Sequence, residues 1–399
     1  MEPGLEIVHS EATLSKKLLN NYSRYPVEFS YGNEIFIFDT EGKKYYDFLS
    51  GIAVTGFGHN HPEIKKAVQQ QLDSIWHTSN LFESSGQEIL AEKLSEKSGL
   101  DNVFFCNSGT EANEAAIKFA RMRGKEKFHI ISALGGFHGR TFGSLSASGQ
   151  YKLWKDFQPI LPGFSYVPFG DIEAIEHSID EFTIAVMLES IQGESGIKLP
   201  PAGYLKEVRQ LCNEKNILLI IDEVQTGMGR IGSFFSYQHE DIIPDIVTIA
   251  KGIANGLPLG ATLCTKEIGD LMIPGSHGST FGGNPLAVAA ANTVVDLLDN
   301  KMLENITELG NYFLSTLAKI DSPFIKEVRG KGLMIGVEFK EEISAKTVTK
   351  KLLQKGFITC TAGENVLRIL PSFLISINDI TIFAENLNNV LLELSLEVN

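Results

Sequence analysis

The chain has 399 residues, enough for two or three domains, and its 43% hydrophobic and 21% charged residues allow a large buried core. A net charge of −14, no sustained basic patch and no apolar run near the roughly 18 residues of a membrane span argue against nucleic-acid and membrane partners. The four cysteines form no C-x-x-C pair and the N-terminus lacks a secretory signal pattern, which together favour reduced thiols in a cytoplasmic protein.

The N-terminal part of the chain predicts an arm followed by short strands. Residues 1–21 have the pattern of a helix or arm, and residues 27–49 have that of short strands separated by turns. A loop, G-F-G-H-N-H-P, then leads into a helix with Pro62 in its first turn. We therefore expect residues 1–50 to form an N-terminal arm and part of a small domain.

Two histidines of that loop, His59 and His61, could be metal ligands because imidazole binds zinc and related ions. No further histidine or cysteine cluster in the sequence completes a site. A structural turn before the helix is the better interpretation, so no metal is expected.

From residue 103 onward, apolar runs alternate with amphipathic stretches, which predicts a mostly parallel sheet with helices on both faces. The runs are residues 103–106, 129–133, 183–188, 217–221, 246–250 and 261–264. An alanine-rich helical stretch, a strand pair at V-R-G-K-G-L-M-I-G-V-E-F and a helical tail follow. We expect a large α/β domain over residues 51–290 and a smaller α+β domain over residues 291–399.

The motif N-S-G-T-E follows the first of these strands and opens a helix of good helix formers. The N-terminus of a helix presents free N–H groups and the positive end of its dipole to a phosphate. Ser108, Gly109 and Thr110 are therefore candidate phosphate contacts. An ordinary N-cap, with Glu111 in the first turn, is the alternative for the serine or threonine alone.

The motif G-G-F-H-G-R-T places one aromatic and one basic side chain between three glycines. Phe137 could stack on a flat ring, and Arg140 could bind a carboxylate in bidentate fashion. A turn with a core phenylalanine explains the motif equally well when it is taken in isolation.

The strand I-L-L-I-I-D-E-V-Q ends in polar residues, where a parallel sheet is expected to bind ligands. Asp222, Glu223, Val224 and Gln225 are therefore candidate site residues. Phosphate-hydrolysing enzymes also end a strand in this way, but no G-x-x-x-x-G-K-[ST] loop accompanies it. The pattern G-M-G-R-I-G at residues 227–232 neither follows the strand directly nor opens a helix, so a nicotinamide-dependent oxidoreductase is a weak alternative.

Lys251 leaves an apolar run and enters a glycine-rich loop, K-G-I-A-N-G-L-P-L-G. Apolar surroundings disfavour the ammonium form and provide a neutral amine that can form a Schiff base. The alternative is a lysine that ends a strand and reaches water.

Three further stretches contain candidate polar residues. L-E-S-I-Q-G-E-S-G ends another buried strand with Glu194, and G-S-H-G-S-T-F-G-G-N-P, with Ser279 and Thr280, could cap a phosphate. Arg368 lies in the apolar run V-L-R-I-L-P-S, where a charge needs a partner. That partner is either Glu194 or the carboxylate of a ligand.

Taken together, these motifs resemble the class III, or ornithine-type, aminotransferases, which use pyridoxal phosphate, and the similarity covers nearly the whole chain. The resemblance implies a fold type I enzyme and a homodimer with active sites shared at the subunit interface. It implies that Lys251 holds the cofactor as a Schiff base and that Asp222 keeps the pyridine nitrogen protonated. It further implies that Gln225 contacts the ring hydroxyl of the cofactor, that Phe137 stacks on the ring, and that Thr280 contacts the phosphate across the dimer. The other implied cofactor contacts are Ser108, Gly109, Thr110, Glu223 and Val224. The implied substrate contacts are Arg140, Glu194, Ser279 and Arg368.

The resemblance also implies transfer of the terminal amino group of N-acetylornithine to 2-oxoglutarate, giving glutamate, as in arginine biosynthesis. Ile52 stands where ornithine enzymes of the family have a tyrosine after D-F-L-S-S, which favours an acylated donor over free ornithine. Succinylornithine, succinyldiaminopimelate, ornithine and 4-aminobutyrate are alternative amino donors within the family. A glutamate semialdehyde aminomutase shares the fold, and dependence on 2-oxoglutarate would separate it from a transferase.

Overall fold

The computed structural model of the protein describes residues 17–398, so most of the expected N-terminal arm lies outside the described residues. The strands are β1 (Phe29–Asn33), β2 (Phe36–Asp39), β3 (Lys44–Asp47), β4 (Asn102–Cys106), β5 (His129–Ala133), β6 (Phe164–Val167), β7 (Thr183–Glu189), β8 (Leu218–Asp222), β9 (Ile246–Ile249), β10 (Gly260–Cys264), β11 (Ile325–Lys331), β12 (Met334–Phe339), β13 (Phe357–Ile358), β14 (Cys360–Ala362) and β15 (Val366–Ile369). The helices are α1 (Ser50–Ala53), α2 (Pro62–Leu72), α3 (Ser85–Ser98), α4 (Gly109–Gly124), α5 (Phe142–Ala147), α6 (Tyr151–Trp154), α7 (Ile172–Ser178), α8 (Tyr204–Lys215), α9 (Lys266–Gly269), α10 (Pro285–Leu297), α11 (Asn300–Leu317), α12 (Ala345–Gln354) and α13 (Ile377–Val398). Short 3₁₀ turns lie at Lys155–Phe157, Ser236–Glu240 and Lys251–Ala254.

A seven-stranded sheet with the order β4-β10-β9-β8-β7-β5-β6 forms the centre of the large domain. Only β10 runs antiparallel to its neighbours, so the prediction of a mostly parallel sheet is confirmed. The predicted apolar runs correspond to β4, β5, β7, β8, β9 and β10. The edge strand β6 was not predicted, because three of its four residues are only partly buried and form no apolar run.

Helices cover both faces of this sheet, as the alternation of apolar runs and amphipathic stretches predicts. Successive strand residues point to opposite faces, and neighbours on β8 accordingly enter different apolar clusters. Ile220 packs in the cluster that contains Ala116 and Phe119 of α4. Ile221 packs in the cluster that contains Val208 of α8. Buried on both faces, the strands can be uniformly apolar until the residue at which each one ends.

Two smaller sheets complete the described part of the chain. One has the order β1-β2-β3-β13, in which β13 pairs in parallel with β3 and so joins both halves of the chain. The other has the order β11-β12-β15-β14 and is antiparallel throughout. The strand pair predicted at V-R-G-K-G-L-M-I-G-V-E-F is β11 and β12, and the predicted helical tail is α13.

The expected domain boundary at residue 290 falls inside α10. This helix packs against α2 and α3, whereas the next helix, α11, packs against β11 and α13. The packing partners therefore change between α10 and α11, at Leu298 and Asp299. Asp299 caps α11 by accepting a 2.8 Å hydrogen bond from the Met302 N–H. We therefore propose that the large domain extends to Leu298.

No helix in residues 17–398 combines the length and apolar character needed to cross a membrane.

Candidate active site

The carboxyl ends of three neighbouring parallel strands converge on one cavity. Glu189 and Asp222 are the last residues of β7 and β8 and are paired in the sheet register. Lys251 follows β9 by two residues. All three line a cavity of about 410 Å³, a volume within the range of small-molecule sites. The sheet edge at which the sequence predicts ligand binding is therefore where the structure places the cavity.

A larger groove of about 830 Å³ lies on the surface between the two domains. Its charged lining residues include Lys152, Lys326, Glu341 and Glu364, all of which are exposed. Charges in open water interact weakly and need no ligand. Of the predicted residues, Glu194 lines this groove, whereas most of the others line the smaller cavity, which is therefore the better candidate site.

Lys251 begins a 3₁₀ turn with a left-handed backbone, φ 49°, directly after the fully buried strand β9. The left-handed conformation is uncommon for a side chain of this size. No described residue accepts a hydrogen bond from Nζ, and burial lowers the pKa of the ammonium below its ordinary value. The amine is thus free of internal partners and is biased toward its neutral, nucleophilic form.

Asp222 is almost fully buried, and three donors hold its carboxylate. Its Oδ2 accepts 2.8 Å hydrogen bonds from Nδ2 of Asn113 and Nδ1 of His138, and Oδ1 accepts one of 2.9 Å from the Val224 N–H. Asn113 is itself fixed, because its Oδ1 accepts a 2.7 Å hydrogen bond from Thr248. The carboxylate is therefore rigid at the cavity wall.

His138 and Glu189 are site residues that the sequence analysis did not assign. Burial alone would lower the pKa of the His138 imidazole, but the hydrogen bond and charge of Asp222 raise it above its ordinary value. Burial raises the pKa of the Glu189 carboxyl to about 7, and this carboxylate accepts a 3.0 Å hydrogen bond from the Phe137 N–H. Their positions in the sequence could have indicated them: His138 follows the predicted Phe137, and Glu189 lies at the end of a strand.

The N-terminus of α4 opens into the cavity, as predicted for a phosphate site. Ser108 is the N-cap, because its Oγ accepts a 3.3 Å hydrogen bond from the Glu111 N–H. The N-cap interpretation of Ser108 is thus confirmed, and the position of the motif at the cavity is compatible with a phosphate contact. Gly109 has to be small, since a Cβ there would lie 2.7 Å from Cγ1 of Val224. Thr110 completes the cradle, with Oγ1 at 2.8 Å from Oγ1 of Thr141.

Phe137 and Arg140 both line the cavity. Phe137 is partly buried, and the Arg140 guanidinium lies 5.6 Å from the centre of its ring. Arg140 is exposed, so its charge can meet the distal end of a ligand that enters from solvent. The structure thus supports the ligand interpretation of G-G-F-H-G-R-T over that of a core phenylalanine.

Arg368 has the partner that its burial requires. Its guanidinium, which is 2% exposed, forms an ion pair with Glu194 through Nη1. Nη1 also donates a 3.3 Å hydrogen bond to Oε1 of Gln225, which lines the cavity. Burial alone would raise the pKa of the Glu194 carboxyl, but the adjacent Arg368 lowers it below its ordinary value. The pair is therefore charged and lies directly behind the cavity wall.

The structure corrects the assignment of Glu223 as a cofactor contact. Its carboxylate points away from the cavity and accepts hydrogen bonds from the Ser236 N–H at 2.7 Å and Oγ1 of Thr226 at 2.7 Å, as well as from the Ser236 hydroxyl. It thereby caps the 3₁₀ turn Ser236–Glu240. Glu223 does not line the cavity, whereas Asp222, Val224 and Gln225 around it do.

Ser279 and Thr280 do not line the cavity of their own chain. Ser279 Oγ accepts a 3.2 Å hydrogen bond from Nδ2 of Asn107, and Thr280 is exposed. A substrate or phosphate contact from either residue would have to be made in the site of another subunit, as the family resemblance implies for Thr280.

Ile52 also lies outside the cavity lining, to which Val54 contributes instead. Ile52 packs against an apolar cluster that includes Ile191 and Ile197. It lies in α1, a single turn whose backbone is left-handed, with φ of 67° at Ile52 itself. Any effect of this position on substrate choice would act through the shape of the turn that leads to Val54.

The described residues fit pyridoxal phosphate. A helix N-terminus suits its phosphate, a buried carboxylate suits its protonated ring nitrogen, and an amine without an internal partner suits its aldehyde. These three features are Gly109 with Thr110, Asp222 and Lys251. Among the described residues no cluster of three metal-ligating side chains is present, and His59 instead lies 2.8 Å from the carboxylate of Asp47.

Comparison with known proteins agrees with the geometry. The family model for class-III aminotransferases matches residues 19–391. Acetylornithine aminotransferase from Aquifex aeolicus is 47% identical over 364 residues, which cover 90% of this chain and 95% of that protein. The ornithine aminotransferase of Toxoplasma gondii, crystallised with partially occupied PLP at its active site, superposes with a TM-score of 0.92 at 32% identity, covering 96% of this chain and 93% of that one. N-acetylornithine aminotransferase from Stenotrophomonas maltophilia superposes with a TM-score of 0.82 at 33% identity, covering 94% and 98% of the two chains.

Proposed function

The chain belongs to the class-III aminotransferases, which are pyridoxal-phosphate enzymes, and on that premise we propose that it moves the terminal amino group of N-acetylornithine to 2-oxoglutarate. The products are N-acetylglutamate 5-semialdehyde and glutamate, a step of arginine biosynthesis. The observation that carries this proposal is the Arg368–Glu194 pair, which gives one site an arginine that can be either paired or free. The acetylornithine aminotransferases among its relatives support the choice of an acylated donor.

Bound pyridoxal phosphate supplies an electron-accepting ring and an aldehyde that can exchange amines. Lys251 would hold it covalently, Asp222 would meet its ring nitrogen, and Phe137 would cover its ring. Gly109 and Thr110 would bind its phosphate. Ser108, Val224 and Gln225 complete the proposed cofactor contacts, with Gln225 at the ring hydroxyl.

With the cofactor bound, Asp222 would present its carboxylate to the ring nitrogen. Three donated hydrogen bonds fix the carboxylate in a dry wall, so it has little freedom to reorient during the reaction. A preorganised charge of this kind favours the protonated ring, which is the better electron acceptor.

Lys251 would accept and donate the proton at its Nζ. Since burial lowers the pKa of its ammonium, the released amine is available in the neutral form as a general base. The same Nζ then carries the proton and can return it to the neighbouring carbon. Lys251 lines the cavity at the first position of a short 3₁₀ turn.

Arg368 and Glu194 let one site accept two unlike donors. Glutamate has a carboxylate on the reacting carbon, which an arginine can bind, whereas N-acetylornithine has none there. A buried arginine without a partner is costly, so Glu194 pairs with Arg368 when the acylated donor is bound and yields to the α-carboxylate of glutamate. Arg140, at the mouth of the cavity, binds the carboxylate of the acylated donor and the distal one of glutamate.

The active enzyme is proposed to be a homodimer with shared sites. Exposed apolar side chains cluster in segment 76–82 and at Phe281, with Leu81 88% exposed and Phe82 70% exposed. Nδ2 of Asn80 donates 3.0 Å hydrogen bonds to the carbonyls of Ser279 and Gly282, which ties the two segments together. A second copy covering this surface would receive Ser279 and Thr280 at its own cavity.

The four cysteines are free, which supports a reducing, cytoplasmic setting.

The test of this function is 2-oxoglutarate-dependent turnover measured on a panel of acetylated, succinylated and free diamino acids and 4-aminobutyrate. The expected result is the highest kcat/KM with N-acetylornithine and formation of one glutamate per aldehyde product. Lys251→Ala serves as the inactive control. Turnover of glutamate semialdehyde without any 2-oxoglutarate would instead identify an aminomutase.

A further inference from the structure

The Cys360 thiol lies against the buried arginine of the site. Its Sγ accepts a hydrogen bond from Nε of Arg368 at 3.2 Å. Cys360 and Arg368 are paired residues on the antiparallel strands β14 and β15. Directly paired residues project from the same face of a sheet, so the thiol lies beside the arginine side chain along its length.

Arg368 depends on this contact when its charge partner leaves. Its acceptors are Glu194 and Gln225 at Nη1 and Cys360 at Nε. The function proposed above requires Glu194 to withdraw when glutamate or 2-oxoglutarate binds. Of its acceptors within residues 17–398, the guanidinium then retains Gln225 and Cys360, and because it is a rigid plane, these two contacts on separate nitrogens set its orientation.

We propose that Cys360 is a positioning residue whose thiol holds the Arg368 guanidinium in the plane that receives the α-carboxylate of a dicarboxylic substrate. The proposal rests on the function proposed for the Arg368–Glu194 pair. Cys360, which does not line the cavity, would then affect the affinity for the dicarboxylic substrate and not that for N-acetylornithine. N-acetylornithine, which leaves Arg368 paired with Glu194, does not depend on the thiol.

The chemistry of a thiol suits this role. Burial raises the pKa of the Cys360 thiol, so it is protonated and uncharged at neutral pH. A neutral, weak acceptor orients Nε without competing with a substrate carboxylate for the positive charge of Arg368. A carboxylate at this position would pair with the arginine permanently, and an aliphatic side chain would leave Nε–H unpaired in the interior.

The inference is tested by comparing Cys360→Ala with Cys360→Ser, which keeps a hydrogen-bond acceptor. Calorimetry with the holoenzyme measures the affinity for glutarate, a dicarboxylate that has no amine or keto group to react. Cys360→Ala should weaken glutarate binding about two- to tenfold, the range expected for one lost hydrogen bond. Cys360→Ser should restore affinity to within about twofold. In single-turnover kinetics, Cys360→Ala should raise the half-saturating concentration of glutamate and leave that of N-acetylornithine unchanged.

Cys212→Ala is the matched control, because it removes a buried thiol on α8, away from the site. It should leave glutarate affinity unchanged. Equal glutarate binding by wild type and Cys360→Ala, failure of serine to restore it, or no glutarate binding by the wild type overturns the positioning role. The glutarate measurement requires no turnover, so it remains decisive even if no acylated diamino acid reacts and the proposed function itself fails.

Discussion

Asp222 and Glu189 are paired residues at the ends of neighbouring parallel strands, so two carboxylates lie side by side in the interior. Two such charges would repel strongly in a dry site. The arrangement is stabilised because the imidazole of His138 donates a 2.8 Å hydrogen bond to Asp222, and because burial raises the pKa of Glu189 to about 7. The hydrogen bond from His138 thus helps to hold the Asp222 carboxylate in place.

The first prediction concerns His138. Its pKa is raised in the folded protein by Asp222, so its contribution to stability is complete below the unfolded value near 6.5 and is lost as pH rises through the folded pKa. The Tm difference between wild type and His138→Gln should therefore be largest near pH 6 and smaller at pH 9. Removing one partner of a buried ion pair, as in His138→Gln, lowers the free energy of unfolding by about 3–5 kcal/mol. Differential scanning calorimetry would check this, and a pH-independent difference would contradict it.

The second prediction concerns Lys251. Since Nζ has no hydrogen-bond partner in the described part of the chain and Lys251 lines the cavity, borohydride treatment of the holoenzyme should fix the cofactor on this residue. Peptide mass spectrometry should find the reduced adduct on Lys251 and not on Lys118 or another lysine. Lys251→Ala should slow amino transfer by a factor of at least about 10²–10⁴, as expected for loss of a general base. An adduct on a different lysine would overturn the assignment.

The third prediction concerns Asp222. Replacing it with alanine should leave part of the cofactor bound through the other contacts. Turnover should fall by orders of magnitude, because the ring would no longer retain its proton. Asp222→Glu, which keeps the charge at a different length, is the matched control and should retain more activity. Near-wild-type turnover of Asp222→Ala would mean that this carboxylate serves only the fold.

Much of the large domain could be predicted, because strands buried on both faces are apolar runs that end where polar residues begin. The same logic located Asp222 and Lys251. It also assigned Glu223 to the cofactor, but the Glu223 carboxylate accepts a hydrogen bond from the Ser236 N–H, 13 positions away, which no local pattern shows. His138 could not be assigned, since one histidine between glycines forms no pattern, and its role depends on its contact with Asp222 from 84 positions away.

The fourth prediction concerns the amino donor. N-acetylornithine should have a higher kcat/KM than free ornithine, measured at fixed 2-oxoglutarate. Ile52 packs in an apolar cluster and Val54 lines the cavity, so neither side chain offers a polar group to the free α-amine of ornithine. Ile52→Tyr tests whether this position affects substrate choice through the shape of the turn that leads to Val54, and it should narrow the preference. If the wild type had an equal or higher kcat/KM for free ornithine, the preference for N-acetylornithine would be wrong and the class-III family assignment would remain.

The last prediction concerns the pairing of Glu194 with Arg368. Arg368→Ala should slow the glutamate half-reaction about ten- to a hundredfold, since a charge-assisted contact contributes about 1.5–3 kcal/mol and each 1.4 kcal/mol is about tenfold. The N-acetylornithine half-reaction should be affected less, because Arg368 binds no group of that donor. Glu194→Ala should have the opposite effect: with no internal carboxylate beside Arg368, donors that bring an α-carboxylate are favoured and N-acetylornithine is weakened. Single-turnover absorbance changes of the bound cofactor measure each half-reaction separately. If both substitutions slowed both half-reactions equally, the ion pair would stabilise the fold without selecting between substrates.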